Sequence, residues 1–192
     1  MTDIFSSFLT DSFKKGMEIA RESDVLDLLH DPGSNPPSRY LLVFKGTEHL
    51  VRTHSGVVET LTGSVPVEVR FPPDYLLTAD PGLYLRIAVM LDPRTLWGPH
   101  TGFFHPNYDP LTGAICLGAK FVPGTPLPAL IFHVYTIITY ENYSVDERNC
   151  LDPTAARYLR EHPEAVASLR VTPLRRRQDR FRVTVASHGR GS

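Results

Sequence analysis

Cysteine is scarce in this chain: Cys116 and Cys150 are the only two in 192 residues. Two thiols cannot make a disulfide framework, and neither belongs to a Cys-x-x-Cys pair of the kind that holds zinc. Long apolar runs are also missing. No stretch reaches the about 18 consecutive apolar residues needed to span a bilayer, and no basic, apolar and small-residue series marks a secretory signal. An excess of one charge is missing too: 20 Lys and Arg face 21 Asp and Glu, a net charge of −1 that calls for no polyanionic partner. Nothing repeats, and the 17 prolines are dispersed instead of forming a low-complexity tract. These absences leave one domain in a reducing, cytoplasmic setting, where a free thiol survives, with 42% hydrophobic residues to build a sizeable core.

What is present centres on Phe104 to Gly118. An amide side chain, Asn107, precedes a loop rich in turn formers (Asp109, Pro110, Gly113), and the loop delivers Cys116 between apolar Ile115 and Leu117. Sulfur with a neutral hydrogen-bond donor nearby suits acyl chemistry. A thioester attacked by an amine develops negative charge on its carbonyl oxygen, and an amide N–H stabilises that charge. Cysteine is also among the residues most often simply buried, so both readings of Cys116 stand at this point.

Around that stretch the pattern is α+β. Residues 3–30 carry a helical face in Phe13, Met17, Ala20, Val25, Leu28 and Leu29, stopped by Asp31-Pro32-Gly33. Ile4, Phe5, Phe8 and Leu9 either extend that helix or form a separate arm. Four strands are expected, Arg39–Phe44, His49–Leu61, Val65–Phe71 and Leu83–Leu91, separated by Lys45-Gly46, Thr62-Gly63-Ser64 and Asp80-Pro81-Gly82. An antiparallel meander packed on helices follows, with Trp97 as a packing anchor. A buried helix is expected over Pro128–Tyr140, in which His133 reads as a satisfied histidine with no metal-ligating partner at helical spacing. Asp152-Pro153 opens a helix through Arg160, and Pro163 a short one to Leu169. Arg175, Arg176, Arg177, Arg180 and Arg182 form a basic cluster before the alternating Phe181, Val183 and Val185, an added strand or a disordered arm. Lacking interleaved aromatic platforms, that cluster reads as solvated surface more than as a nucleic-acid site.

Three motifs together resemble one family. His105-Pro106-Asn107 followed by Ile115-Cys116-Leu117 is similar to the active-site signature of the ubiquitin-conjugating enzymes. Phe71-Pro72-Pro73-Asp74-Tyr75 resembles the family's Phe-Pro-x-x-Tyr element, and Pro128-Ala129-Leu130 resembles the Pro-Ala-Leu that opens its second helix. The likeness covers about residues 14–165, within a catalytic domain of residues 1–170 followed by a basic extension, 171–192.

The resemblance implies a conjugating-enzyme-like sandwich that carries a ubiquitin-like modifier. Cys116 would accept the modifier as a thioester from an activating enzyme and pass it to an amine, a lysine on a target protein. Asn107 would stabilise the oxyanion or hold the loop. His105 and Pro106 would shape the loop, with Asn149 in the region where the family often has an acid acting on the incoming lysine and with Asp146, Glu147 and Asp152 nearby. Leu77, Pro128 and Ala129 would meet the activating enzyme or a ligase. No cofactor, metal or membrane is implied. Departures from the eukaryotic pattern include a loop one residue longer, Leu76-Leu77-Thr78-Ala79-Asp80 after Tyr75, and no Trp after the cysteine. They look like bacterial relatives encoded in antiphage conjugation operons. Two rivals are an inactive module of the same fold that binds modifiers, and a cysteine hydrolase with a histidine base.

Overall fold

A computed structural model describes residues 3–77, 90–91, 100–118 and 122–174. Helix α1 (Ile4–Glu22) starts at Asp3, whose carboxylate accepts from Phe5 N. Its buried stripe is Leu9, Ser12, Gly16 and Ile19, spaced three or four apart. The apolar residues before Phe13 therefore extend the helix, and Phe8 packs edge-on against Phe71 with ring centroids 5.5 Å apart.

The helix ends eight residues earlier than its pattern suggests. Ser23 is extended, and Leu26–His30 is strand β1, with Leu26 and Leu28 buried and Asp27 and Leu29 exposed. Val25, Leu28 and Leu29 satisfy a helical face and an alternating strand equally well, and pairing with the next strand decides between them.

Strand β2 (Arg39–Thr53) runs straight through Lys45-Gly46. Those residues form a bulge, not a turn: Phe44 pairs with Val65 and Thr47 with Gly63, which leaves Lys45 and Gly46 opposite Ser64 alone. Gly46 takes φ +62° there, a left-handed backbone that glycine adopts without strain. The chain reverses inside the segment expected to be one strand, His49–Leu61. Thr53 N donates to the Val57 carbonyl (2.9 Å), Gly56 sits at φ +83°, and β3 (Val58–Arg70) returns antiparallel. Of the expected strand Leu83–Leu91, the described part is β4 (Met90–Leu91), paired with β3. Trp97 and the arginine-rich tail lie outside the described residues.

The meander order β1-β2-β3-β4 is joined by β5 (His100–Phe103), a strand the sequence pattern did not suggest. It pairs with the far end of β2, Val51 with Phe103, beyond the stretch that β1 occupies. Helix α2 (Leu127–Ile138) lies within about a residue of its expected start and buries Leu127, Leu130, Ile131, Val134, Tyr135, Ile137 and Ile138 in one core with Leu42, Phe44, Leu50, Val65, Val67 and Val69 of the sheet. A Cβ on Gly16 would stand 2.7 Å from Leu127 Cδ2, so the missing side chain sets how closely α1 and α2 approach. Helices α3 (Pro153–Glu161) and α4 (Pro163–Ala167) follow as expected, the second two residues shorter. Leu174 is buried and Tyr135 donates to the Thr172 carbonyl, so the core continues to the end of the described chain.

Candidate active site

Strand β5 leads straight into the site. After Phe103 the ladder continues for one bond, Phe104 N to the Leu50 carbonyl (2.9 Å), and the chain then turns inward at His105. The His105 ring is fully buried, stacked on Phe103 and 4.6 Å from the Tyr140 ring centroid. Its Nδ1 accepts from Asn107 N (2.9 Å), so the ring proton sits on Nε2, which makes no hydrogen bond of ordinary geometry. Burial pushes the ring's pKa down to about 3 against a weaker opposing pull from the Ile137 carbonyl. His105 is thus a neutral ring that fixes the backbone at Asn107.

From there the chain makes a tight loop. Tyr108 bridges Ile115, Asp109 N donates to the Ala114 carbonyl (2.9 Å), and Gly113 N donates to the Asp109 carbonyl (2.8 Å). The Asp109 carboxylate accepts from Thr112 Oγ1 (2.6 Å) and Leu111 N (2.9 Å), and the Thr112 bond leads in holding it below the usual carboxylate range. Alternation does the rest: Ile115 and Leu117 are buried, and Cys116 between them is half-buried.

Asn107 and Cys116 are joined twice. Cys116 N donates to the Asn107 carbonyl (2.7 Å), and Asn107 Nδ2 donates to the Cys116 carbonyl (3.1 Å). The amide is therefore bound to the cysteine's backbone, not its sulfur. Pro106 is buried, and its carbonyl accepts from both Leu151 N (2.8 Å) and Asp152 N (3.1 Å), which ties this loop to the start of α3.

Cys116 opens on a cleft of about 170 Å³. One wall is Asn107, Cys116 and Gly118; the other is Asn142, Tyr143, Ser144, Asn149 and Cys150. The second wall exists because the backbone reverses after α2. Tyr140 is left-handed (φ 58°), Glu141 N and Asn142 N both donate to the Thr136 carbonyl, and the Tyr140 hydroxyl donates to the Phe104 carbonyl (2.6 Å). Asn142, Tyr143 and Ser144 belong to no motif, and sequence reading passed over them.

Asn149 is exposed and donates through Nδ2 to Asp146 (2.7 Å). The nearby acids are all engaged. Asp146 also accepts from Arg148 N, Glu147 pairs with Arg157 and Arg160 at 2.7 Å each, and Asp152 caps α3 through Thr154 N and Ala155 N. The two arginines pull Glu147 down to about 2. Cys150 Sγ donates to the Glu147 carbonyl at 3.5 Å, and burial, followed by Asp152, Asp146 and Glu147, pushes its thiol up. His133 is half-buried and satisfied, its Nε2 donating to the Leu117 carbonyl (2.6 Å).

Leu77, Pro128 and Ala129 stand away from the cleft. Leu77 is 83% exposed on the loop after β3, and Tyr75 OH fastens that loop to the Thr125 carbonyl (2.7 Å), just before the first turn of α2 that holds Pro128 and the exposed Ala129. Among the described residues no three His, Cys, Asp or Glu side chains converge as a metal site, and no helix is long and apolar enough to cross a membrane.

No family model and no curated protein matches the chain. A solved structure described as a "Novel Ubiquitin-Conjugating Enzyme" is similar to it at 18% identity with a TM-score of 0.47, covering 83% of this chain and 87% of that one. At that level of likeness no residue's role carries across.

Proposed function

We propose that this chain is a ubiquitin-conjugating-like carrier, with Cys116 taking a ubiquitin-like modifier as a thioester from an activating enzyme and passing it to a lysine amine on a target. The observation that supports this most is the double hydrogen bond between Asn107 and Cys116, which fixes a neutral amide beside a half-buried thiol at the mouth of a cleft. The Asn107 amide has two N–H donors. One holds the Cys116 carbonyl, and the other is left for the oxyanion that forms when an amine attacks the thioester.

In this reading Cys116, as thiolate, attacks the activated carbonyl and the activating enzyme's cysteine leaves as a thiolate. The incoming amine then attacks the same carbonyl, the C–S bond breaks, and the proton lost by the amine ends on the departing Cys116 sulfur, so sulfur for sulfur and then nitrogen for sulfur balance without an added oxidant or ATP at this site. Positioning does most of the work. His105 and Pro106 hold the loop, Asn149 faces the acceptor side, and Leu77, Pro128 and Ala129 offer the surface for the activating enzyme or a ligase. The longer active-site loop and the altered segment after Tyr75 favour the bacterial members of the family, with modifier and activating enzyme encoded beside the gene in a defence operon.

A hydrolase needs a histidine on the sulfur. Neither His105 nor His133 is hydrogen-bonded to it: one ring is buried and bound to Asn107 N, the other to the Leu117 carbonyl. The deciding experiment is intact-protein mass spectrometry after incubation with ATP, the operon's activating enzyme and its modifier. A reductant-sensitive adduct of one modifier mass, absent in Cys116→Ala, is expected. No adduct with an activating enzyme shown to be active would leave the modifier-binding module in its place.

A further inference from the structure

The chemistry above leaves Cys150 without a task. Yet Cys150 and Cys116 line one cleft of about 170 Å³, each from a different segment of the chain. Both are free and half-buried. Among the described residues, no backbone N–H from Tyr143 to Arg148 bonds to another element; Asp146 N and Arg148 N close short local turns on Ser144 Oγ and the Asp146 carboxylate. The residue after Cys150, Leu151, is pinned to Pro106, one residue from Asn107. Cys150 thus sits on a segment held mainly by side chains, Glu147 on Arg157 and Arg160 and Tyr143 against the His105 and Tyr140 rings, with its far end anchored beside the loop that holds Cys116.

We infer that Cys116 and Cys150 close a reversible disulfide when the site meets a hydroperoxide, Cys150 acting as the thiol that resolves oxidised Cys116. This rests on the reading of Cys116 as a reactive thiol. The Cys116 thiolate attacks one peroxide oxygen, an S–O bond forms, the O–O bond breaks, and hydroxide leaves. Sulfur is oxidised to the sulfenic acid and the peroxide is reduced. Cys150 sulfur then attacks the sulfenic sulfur, an S–S bond replaces the S–O bond, and the departing hydroxide takes the Cys150 proton. In sum, two thiols and one hydrogen peroxide give one disulfide and two waters.

The environment of Cys150 suits that division of labour. Burial and the three carboxylates around it keep it protonated, so it competes poorly for a thioester on Cys116. A sulfenic sulfur, by contrast, condenses with a thiol to give a disulfide. Bridging requires Cα atoms about 4.4–6.8 Å apart, so closing the bond needs the segment before Leu151, which no backbone N–H from Tyr143 to Arg148 ties to another element, to meet the Cys116 loop at that separation.

The test is hydrogen peroxide alone on the full chain, read by intact mass and by peptide mapping without reduction, for wild type, Cys150→Ser and Cys150→Ala. Expected in the wild type is loss of two hydrogens, restored by dithiothreitol, with Cys116 and Cys150 peptides linked. In either variant Cys116 should accumulate two- and three-oxygen adducts on the order of tenfold faster than in the wild type. Equal over-oxidation in all three proteins, with no linked peptide, would overturn the inference, as would links solely between separate molecules. Modifier loading is scored separately. Linked peptides without loading would sink the carrier reading and leave the disulfide; loading without linked peptides would do the reverse.

Discussion

The two walls of the cleft are built differently. The wall from Phe104 to Gly118 is closed bond by bond: His105 holds Asn107 N, Asp109 closes the loop at both ends, and Asn107 and Cys116 hold each other. The wall from Asn142 to Cys150 rests on side chains, chiefly Glu147 on Arg157 and Arg160 and Asn149 on Asp146. A group that must be placed within a fraction of an ångström needs the first construction. A surface that has to adjust to what approaches it is served by the second.

The comparison breaks first at the cysteines. Cys116→Ala should abolish the modifier adduct entirely and Cys150→Ala should retain it; the reverse pattern in the intact masses would exchange the roles of the walls. Next comes Asn107→Ala, expected to slow single-turnover transfer to an amine by roughly 100- to 1,000-fold and loading by less. Equal losses in the two steps would make Asn107 a loop support with no part in stabilising the oxyanion.

Acid sharpens the difference. Unfolded histidines take a proton near pH 6.5, whereas burial keeps His105 neutral down to about 3 and His49 down to about 4. The unfolded chain therefore binds more protons across that window, so stability is complete above 6.5 and falls as the pH drops. Each ring contributes about 1.4 kcal/mol per pH unit within the window. Urea midpoints at pH 7.5 and 5.5 should show the drop, and a flat profile would mean that the rings protonate in place. The smallest effect belongs to the helix that follows the second wall. Asp152→Ala removes the α3 cap and should cost about 1 kcal/mol in the same urea assay, with the loading yield held; loss of loading would show that the α3 end sets the first wall as well.

Much of the first wall was readable because its constraints are local. A carboxylate, a proline and a glycine in ten residues dictate a turn, and alternation puts Cys116 outward between Ile115 and Leu117. Helices α2 and α3 were readable for the same reason, through Pro128 and Asp152-Pro153. The sheet was harder. Glycine marks a left-handed backbone without saying what for, so Gly46 looked like a turn and is a bulge, while the true reversal at Gly56 lay unsuspected inside an alternating run. Val25, Leu28 and Leu29 fitted either period until β2 offered them a ladder. The second wall had no local signature at all. Tyr143 reaches the cleft because Tyr140, 36 residues away from Phe104 in sequence, reverses the backbone and anchors it there.

One oxygen atom has a consequence for anyone who would transplant this site. The Pro106 carbonyl receives the amides of Leu151 and Asp152. Grafted alone into another scaffold, residues 104–118 would carry a carbonyl with nothing to receive, and residues 149–154 alone would carry two donors with nowhere to give. The two segments, far apart along the chain, are one heritable part, and a swap or a directed-evolution library should move them together.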